Sequence, residues 1–269
     1  MNILYAIFLG LLQGATEFLP VSSSGHLVLA ESFFGVEEAS LAFDVVLHLG
    51  TLIAVLIYFR VDFWLMAKAL LAWQDKSEDT TTLRALAMQL AIGTVPAVVA
   101  ALLIGDYVEN TLRHPMVVAV TLAGVGLFLL IGERVGQHRR NFSSITWLDT
   151  ILIGCAQALA IIPGVSRSGI TMTAGLFRGL NREATARFSF LLSAPIICGA
   201  GVYKVPEIMH QGLTPGQGSF YLAGFLSAAV SGYFVIAFLL RFIRTKTFDV
   251  FAYYRFALAA LVALSLLLH

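Results

Sequence analysis

Six apolar runs dominate the chain, at residues 41–59, 85–105, 116–132, 188–203, 219–240 and 248–268. A hydrocarbon core of about 30 Å needs about 20 helical residues at about 1.5 Å of rise each, so each run predicts a transmembrane helix. Two more apolar stretches, 3–35 and 148–177, behave differently, because each is broken midway by a cluster of Pro, Gly and Ser. The first reads QGATEFLPVSSSGH from Gln13 to His26, the second IIPGVSRSGIT from Ile161 to Thr171. Neither half of either stretch is long enough to span, and Pro among Gly and Ser leaves backbone groups that a continuous helix cannot pair. The pattern predicts two re-entrant hairpins, each made of two short helices meeting at a polar loop inside the membrane. Residues 60–84 are charged and contain WLMAKALLAW, which predicts a short helix lying in the interface.

The two broken stretches resemble each other. A shift of 144 places Gly10, Gln13, Val21, Ser22, Ser24 and Gly25 on Gly154, Gln157, Val165, Ser166, Ser168 and Gly169, six identities in the 16 positions from 10 to 25. Repeats of about 1–135 and 145–269 follow, each with one hairpin and three spans, within a single integral-membrane domain. Three spans are odd in number, so the second copy enters from the opposite face, the inverted-repeat plan with its site near the repeat interface. The predicted fold class is therefore an all-α polytopic membrane protein: six full transmembrane helices plus two re-entrant helical hairpins in an inverted-topology repeat.

Composition agrees with this reading and adds an orientation. The 269 residues are 58% hydrophobic and only 12% charged, about half the charge of an ordinary soluble domain. The 17 Lys+Arg balance 16 Asp+Glu, so there is no basic face for nucleic acid. Along the predicted path, 13 of the 17 basic residues fall on one side, in segments 60–84, 133–146, 178–187 and 241–246; Arg113 and Lys204 fall on the other, and Arg167 and Arg255 lie at membrane depth. The positive-inside rule makes the first side cytoplasmic and puts both termini outside. No Lys or Arg precedes the first apolar run, which is read as mature chain rather than as a cleaved signal. Cys155 and Cys198 stand alone in apolar runs and read as packing residues.

Ionisable side chains at membrane depth cost at least about 2.5 kcal/mol each and mark function. Glu17, His26 and Arg167 gather in the two polar loops, beside Ser22, Ser23, Ser24, Ser166, Ser168 and Thr171. Arginine, hydroxyls and loop amides make an anion pocket. A lone carboxylate would repel a phosphate, so Glu17 is better read as ligand to a divalent cation, Mg²⁺ or Ca²⁺, that bridges phosphate oxygens. His and Ser supply a base or a nucleophile. The sum is phosphoryl chemistry on a diphosphate. Gln13, one turn before Glu17, reads as a partner of that carboxylate or of a metal-bound water. His48 reads either as a bundle histidine or as part of the site, and Arg255 either reaches the pocket or pairs with Asp249.

The segment QGATEFLPVSSSGH resembles the (E/Q)xxxE and PVSSxGH motifs of the bacterial undecaprenyl-diphosphate phosphatases of the bacitracin-resistance type, and PGVSRSGIT at 163–171 resembles their PGxSRSxxT motif. The likeness extends through FDVVLHLGTLIAVL, TVPAVVAALL and FAYYRF, nearly the whole chain. It implies hydrolysis of undecaprenyl diphosphate to the monophosphate, recycling the lipid carrier of peptidoglycan synthesis at the inner membrane and conferring bacitracin resistance. By position it implies catalytic roles for Glu17, Ser23, His26 and Arg167, and substrate contacts for Gln13, Ser22, Ser24, Ser166, Ser168 and Thr171. Gln13 stands where many relatives have Glu, one carboxylate fewer near the metal. Ser23 is the expected nucleophile with His26 as its base; His26 as nucleophile or as activator of water stays open. Expected partners are a polyprenyl diphosphate, membrane lipids and, as a homodimer, a second copy of the chain. The site is expected to open toward the periplasm. A phosphatase of the PAP2 type is excluded because no His follows Arg167 through Thr173. A polyprenyl-phosphate flippase or transporter stands as the alternative, since inverted repeats with broken helices also build carriers.

Overall fold

Apolar length and punctuation by Pro and Ser separate two kinds of helix. The computed structural model describes residues 2–34, 41–211 and 217–268. Among the described residues the chain forms eleven α-helices, and the only β pairing is a bridge between Arg140 and Leu180. The first broken stretch becomes α1 (Ile3–Phe18) and α2 (Ser23–Phe34), the second α7 (Trp147–Ala158) and α8 (Arg167–Phe177). Between and after them lie α3 (Leu41–Tyr58), α4 (Arg60–Leu71), α5 (Glu78–Thr111), α6 (Pro115–Val135), α9 (Arg182–Gln211), α10 (Gln217–Phe242) and α11 (Asp249–Leu268).

Helices α5, α6, α9, α10 and α11 are each long and apolar enough to cross a membrane, whereas α3 meets that measure only together with α4, from which it is bent by 78°. Alone, the 18 residues of α3 reach about 27 Å, just short of the hydrocarbon core. The bend sets α4 at the place where the sequence predicts an interfacial helix. The run at 85–105 is the middle of a longer helix, because Ser77 caps it and Glu78 and Asp79 favour its first turn.

Helix α10 shows how the inside and the lipid side are written. Leu222, Leu226, Val230, Phe234 and Phe238, spaced by four, are exposed, while Phe220, Gly224, Ala228, Gly232 and Ile236 are buried. The small residues of the buried stripe let α1 approach, as in membrane helix pairs generally. A Cβ on Gly14 would lie 2.6 Å from the Ala228 carbonyl oxygen, and one on Gly10 would lie 2.4 Å from that of Gly224. Gly14→Ala is therefore expected to cost about 1–3 kcal/mol, because backbone cannot step aside. Gly124→Ala, with nothing within 4 Å, should leave the melting temperature in detergent unchanged. Equal melting of the two variants would refute the close approach.

The second half repeats these contacts with partners exchanged. Helix α7 packs along α5 as α1 does along α10, α9 on α5 as α3 does on α10, and α6 meets α11. Gly154, the counterpart of Gly10, would put a Cβ 2.4 Å from the Gly93 carbonyl oxygen.

The basic segments assigned to one side by sequence also meet in space. Arg140 and Arg178 both bind the buried Asp149, Arg182 binds Glu133, and Arg187 binds Asp62. Cys155 and Cys198, read from sequence as packing residues, are exposed. Each lies on an apolar helix in a bilayer-spanning fold, so lipid-facing surface suits a small apolar thiol as well as the core does.

Candidate active site

Each hairpin turns through a serine with a left-handed backbone. Ser22 has φ +77° and Ser166 φ +73°, a conformation an L-residue adopts only when its surroundings hold it there. In each loop the hydroxyl closes the turn: Ser22 Oγ accepts from the Gly25 amide at 3.2 Å, and Ser166 Oγ from the Gly169 amide at 3.0 Å. These are N-caps of α2 and α8. They turn both short helices so that their N-termini meet near the end of α1.

Glu17 sits at that meeting point with its carboxylate buried. Ser23 Oγ donates to Glu17 Oε2 at 2.6 Å, Gln13 Nε2 donates to the same oxygen at 3.0 Å, and Arg167 Nη2 donates to Oε1 at 2.6 Å. His48 Nε2, from α3, lies 3.5 Å from Oε2. Arg167 also donates from Nη1 to the Ser189 carbonyl of α9 at 3.1 Å, which aims its guanidinium across the loop interface.

A cavity of about 430 Å³ opens beside these groups, lined by Glu17, Ser23, Ser24, Ser166 and Arg167 together with Asp44, His48 and Gln157, and otherwise by small and apolar residues of α3, α5, α9 and the end of α7. Five of the ten expected site residues thus share one cavity. The others stand behind it. Gln13 and Ser22 are wholly buried. Ser168 Oγ donates to the Leu19 carbonyl at 2.9 Å, fastening one loop to the other, and Thr171 Oγ1 donates to the Arg167 carbonyl at 2.7 Å.

The expected Ser23–His26 pair is not formed. His26 Nδ1 faces the Ser22 carbonyl at 2.7 Å, and because a carbonyl only accepts, Nδ1 carries the hydrogen. Nε2 of the neutral ring then accepts from the Tyr254 hydroxyl at 2.7 Å, with the two rings stacked. Both ring nitrogens are engaged, and the partner of Ser23 is Glu17.

Arg255 also departs from both of its expected roles. It is wholly buried, and among the described residues its guanidinium meets backbone carbonyls rather than a carboxylate. Its Nε donates to the Leu122 carbonyl at 3.0 Å, Nη1 to Pro20 at 3.1 Å, and Nη2 to Gly164 at 2.9 Å and Val165 at 3.1 Å. One guanidinium therefore ties both loops to α6. Asp249 instead accepts from Thr247 at 3.1 Å.

One participant escapes the sequence reading and a second is left undecided by it. Tyr254 lies 228 positions from His26, a contact no local pattern encodes, although it adjoins Arg255 in a polar cluster of an apolar helix. His48 was left open; its place one turn after Asp44, on the same face of α3, was the available signal.

No three His, Cys, Asp or Glu side chains converge among the described residues. The oxygen atoms gathered at Glu17 are its own carboxylate, the Ser23 hydroxyl at 2.6 Å and the Gln13 Oε1, which is buried without a partner. That set, a carboxylate with neutral oxygens, is chemically suited to a hard cation such as Mg²⁺.

The sequence matches the family described as "Bacitracin resistance protein BacA" over residues 6–261. A protein of Rubrobacter xylanophilus named undecaprenyl-diphosphatase is 47% identical over 100% of both chains. Its namesake in Moorella thermoacetica is 45% identical over 97% of each, and that of Myxococcus xanthus is 44% identical over 97% of this chain and 88% of its own.

Proposed function

The chain belongs to the BacA family of bacitracin resistance proteins, and from that membership together with the site's geometry we propose that it hydrolyses undecaprenyl diphosphate to undecaprenyl phosphate and inorganic phosphate, returning the lipid carrier of cell-wall synthesis. The observation that carries the reading is the convergence on Glu17 of Ser23 and Arg167, each at 2.6 Å, from two hairpins that meet in an otherwise apolar cavity.

Each group has a task in that reaction. Arg167 exchanges part of its hold on Glu17 for the terminal phosphate, and the Ser166 and Ser24 hydroxyls add neutral donors at the cavity wall. Ser23 Oγ attacks the terminal phosphorus while its proton passes to Glu17 Oε2, the acceptor it already faces. The bond from that phosphorus to the bridging oxygen breaks, and undecaprenyl phosphate departs with the oxygen. Water then attacks the phosphoserine phosphorus and releases inorganic phosphate, and the proton on Glu17 returns to Ser23. His26, fixed by Ser22 and Tyr254, acts through the loop it holds. Glu17, with the buried Gln13 carbonyl oxygen behind it, would hold a Mg²⁺ or Ca²⁺, which would supply charge neutralisation for the reaction. The C55 chain lies against apolar walls or in lipid.

We also place the protein in the bacterial inner membrane as a multi-pass chain, with both termini outside, the cavity opening toward the periplasm, and the two halves related as an inverted repeat. The 13 basic residues on one face and the exchanged helix pairs support this arrangement.

Phosphate release from polyprenyl diphosphate by the purified protein in detergent is the test. Release is expected to stop with chelator and to return with Mg²⁺. Ser23→Ala is expected to lose at least about 100-fold in kcat, the scale of a missing nucleophile or base. Wild-type turnover by Ser23→Ala beside a dead Arg167→Ala would pass the attack to water activated at Glu17. Lipid binding without any phosphate release would favour the carrier instead.

A further inference from the structure

Two arginines outside the reaction centre line a cavity of their own. Helix α8 has 11 residues and begins at Arg167, so at about 1.5 Å per residue it runs about 16 Å, roughly half the hydrocarbon core. A helix that starts at membrane depth therefore ends at headgroup level. There, where the ends of α6 and α8 meet, lies a cavity of about 270 Å³ lined by Arg140, Arg178, Gln137, Val135 and Phe177. Val135 and Phe177, the last residues of α6 and α8, are exposed, which suits a wall shared with lipid.

The cavity is held by backbone. The Arg140 amide donates to the Gly179 carbonyl at 3.0 Å, and the Arg140 carbonyl accepts from the Asn181 amide at 2.7 Å. A helix C-terminus ordinarily repels an anion, but the carbonyls of this one are spent. Leu176 accepts from the Gly179 amide at 2.9 Å, Gly175 from the Leu180 amide at 3.1 Å, and Arg178 from Arg140 Nη1 at 3.0 Å. Positive charge is left over. The wholly buried Asp149 takes Arg140 through both Nη atoms but Arg178 through Nε alone, at 2.7 Å. Among the described residues neither Nη of Arg178 has a hydrogen-bond partner, and 34% of that side chain is exposed. Segments 133–149 and 178–182 carry five arginines against two carboxylates, Glu133 and Asp149. Both carboxylates are buried and engaged, and Glu183, next in the chain, pairs with Arg244.

We propose that this cavity binds the phosphodiester headgroup of an anionic phospholipid, from the leaflet on the basic side of the protein. Phosphate oxygens meet the free edge of the Arg178 guanidinium, a planar fork matched to them, and the acyl chains run past Val135 and Phe177 into the bilayer. Basic pockets between membrane helices are a recurring form of lipid recognition. Free phosphate shares the headgroup's chemistry but leaves the two exposed apolar residues without a partner. The site stands apart from the reading of Glu17, Ser23 and Arg167 as hydrolytic. It does lie at one end of the helix whose other end carries Arg167, so its occupant steadies α8.

The experiment reads the melting temperature of the purified protein in neutral detergent with dioctanoyl phosphatidylglycerol, with dioctanoyl phosphatidylcholine or with inorganic phosphate. Phosphatidylglycerol at about ten times its dissociation constant is expected to raise the wild type by about 4 °C, and the other two to leave it unchanged. The rise is expected to vanish in Arg178→Gln and to persist in Lys76→Gln, a charge assigned to the same face but outside the cavity. Each protein is compared with itself without lipid, so a lower baseline in Arg178→Gln, from its lost bond to Asp149, does not enter. Gln137→Glu leaves that bond alone and puts a carboxylate in the cavity wall, which is expected to cancel the rise as well. A rise kept by either cavity variant, lost equally in Lys76→Gln, or given equally by phosphatidylcholine overturns the site. A rise that inorganic phosphate reproduces at the same concentration overturns the lipid as its occupant.

Discussion

Arg167→Gln is expected to lower kcat by about 1,000-fold and to raise KM as well, whereas Glu17→Gln lowers kcat by about 100-fold or more without raising KM. The difference follows from the 2.6 Å bond between Arg167 Nη2 and Glu17 Oε1. In the proposed reaction Arg167 is the cation that meets the reacting phosphate, so its removal should weaken both the bound and the activated states. On the same proposal Glu17 competes with that phosphate for Arg167, so its neutralisation should free the guanidinium while removing the proton acceptor of Ser23. The two substitutions touch one network, so their effects should not add: the double variant is expected to fall well short of the product of the single losses. Steady-state phosphate release by the three variants decides the matter. A Glu17→Gln enzyme with raised KM and normal kcat would place Glu17 in substrate binding alone.

This division of labour explains why the site is built from two hairpins rather than one. Glu17, Ser23 and His26 come from the first, Arg167 and Ser166 from the second, and a buried carboxylate beside a half-buried guanidinium is tolerable only when each satisfies the other. The same pairing holds two short helices end to end at membrane depth, where unpaired backbone is expensive. Substrate therefore enters a site whose electrostatic cost has already been met within the protein.

Much of this was legible in the residues, for identifiable reasons. A charged side chain in an apolar run has few neighbours with which to be confused, so Glu17 and Arg167 stood out, and the 144-residue shift paired Ser22 with Ser166 before their shared left-handed turns were seen. Spans α6, α10 and α11 followed from length alone. What was not legible depends on contacts across the chain. Ser23 and His26 are three apart and read as a pair, but Ser22 at φ +77° turns the chain so that Ser23 faces back to Glu17 and His26 turns to Tyr254. Spacing says which residues share a face of one helix; it cannot say which helix arrives from 228 positions away.

Arg255 carries the second large effect, and its character should be structural first. Arg255→Met keeps the volume and apolar fit of the stem and removes donors from the Pro20, Gly164 and Val165 carbonyls at once. Buried carbonyls left without partners cost about 1–3 kcal/mol each, and only part of that is recovered by movement of the loops. A drop of about 10 °C in the melting temperature of the ligand-free protein is expected, from a loss of about 3–5 kcal/mol spread over a chain of this size. Activity should fall with it, because Glu17 leads into one freed loop and Arg167 follows the other. Arg255→Lys, with three donors in place of five, should fall between the two in melting temperature. A phosphate ligand would behave in the opposite order: its loss would leave the ligand-free melting temperature unchanged and raise KM. Melting curves without substrate, set beside KM for the same variants, therefore distinguish a clamp on the loops from a contact with the diphosphate.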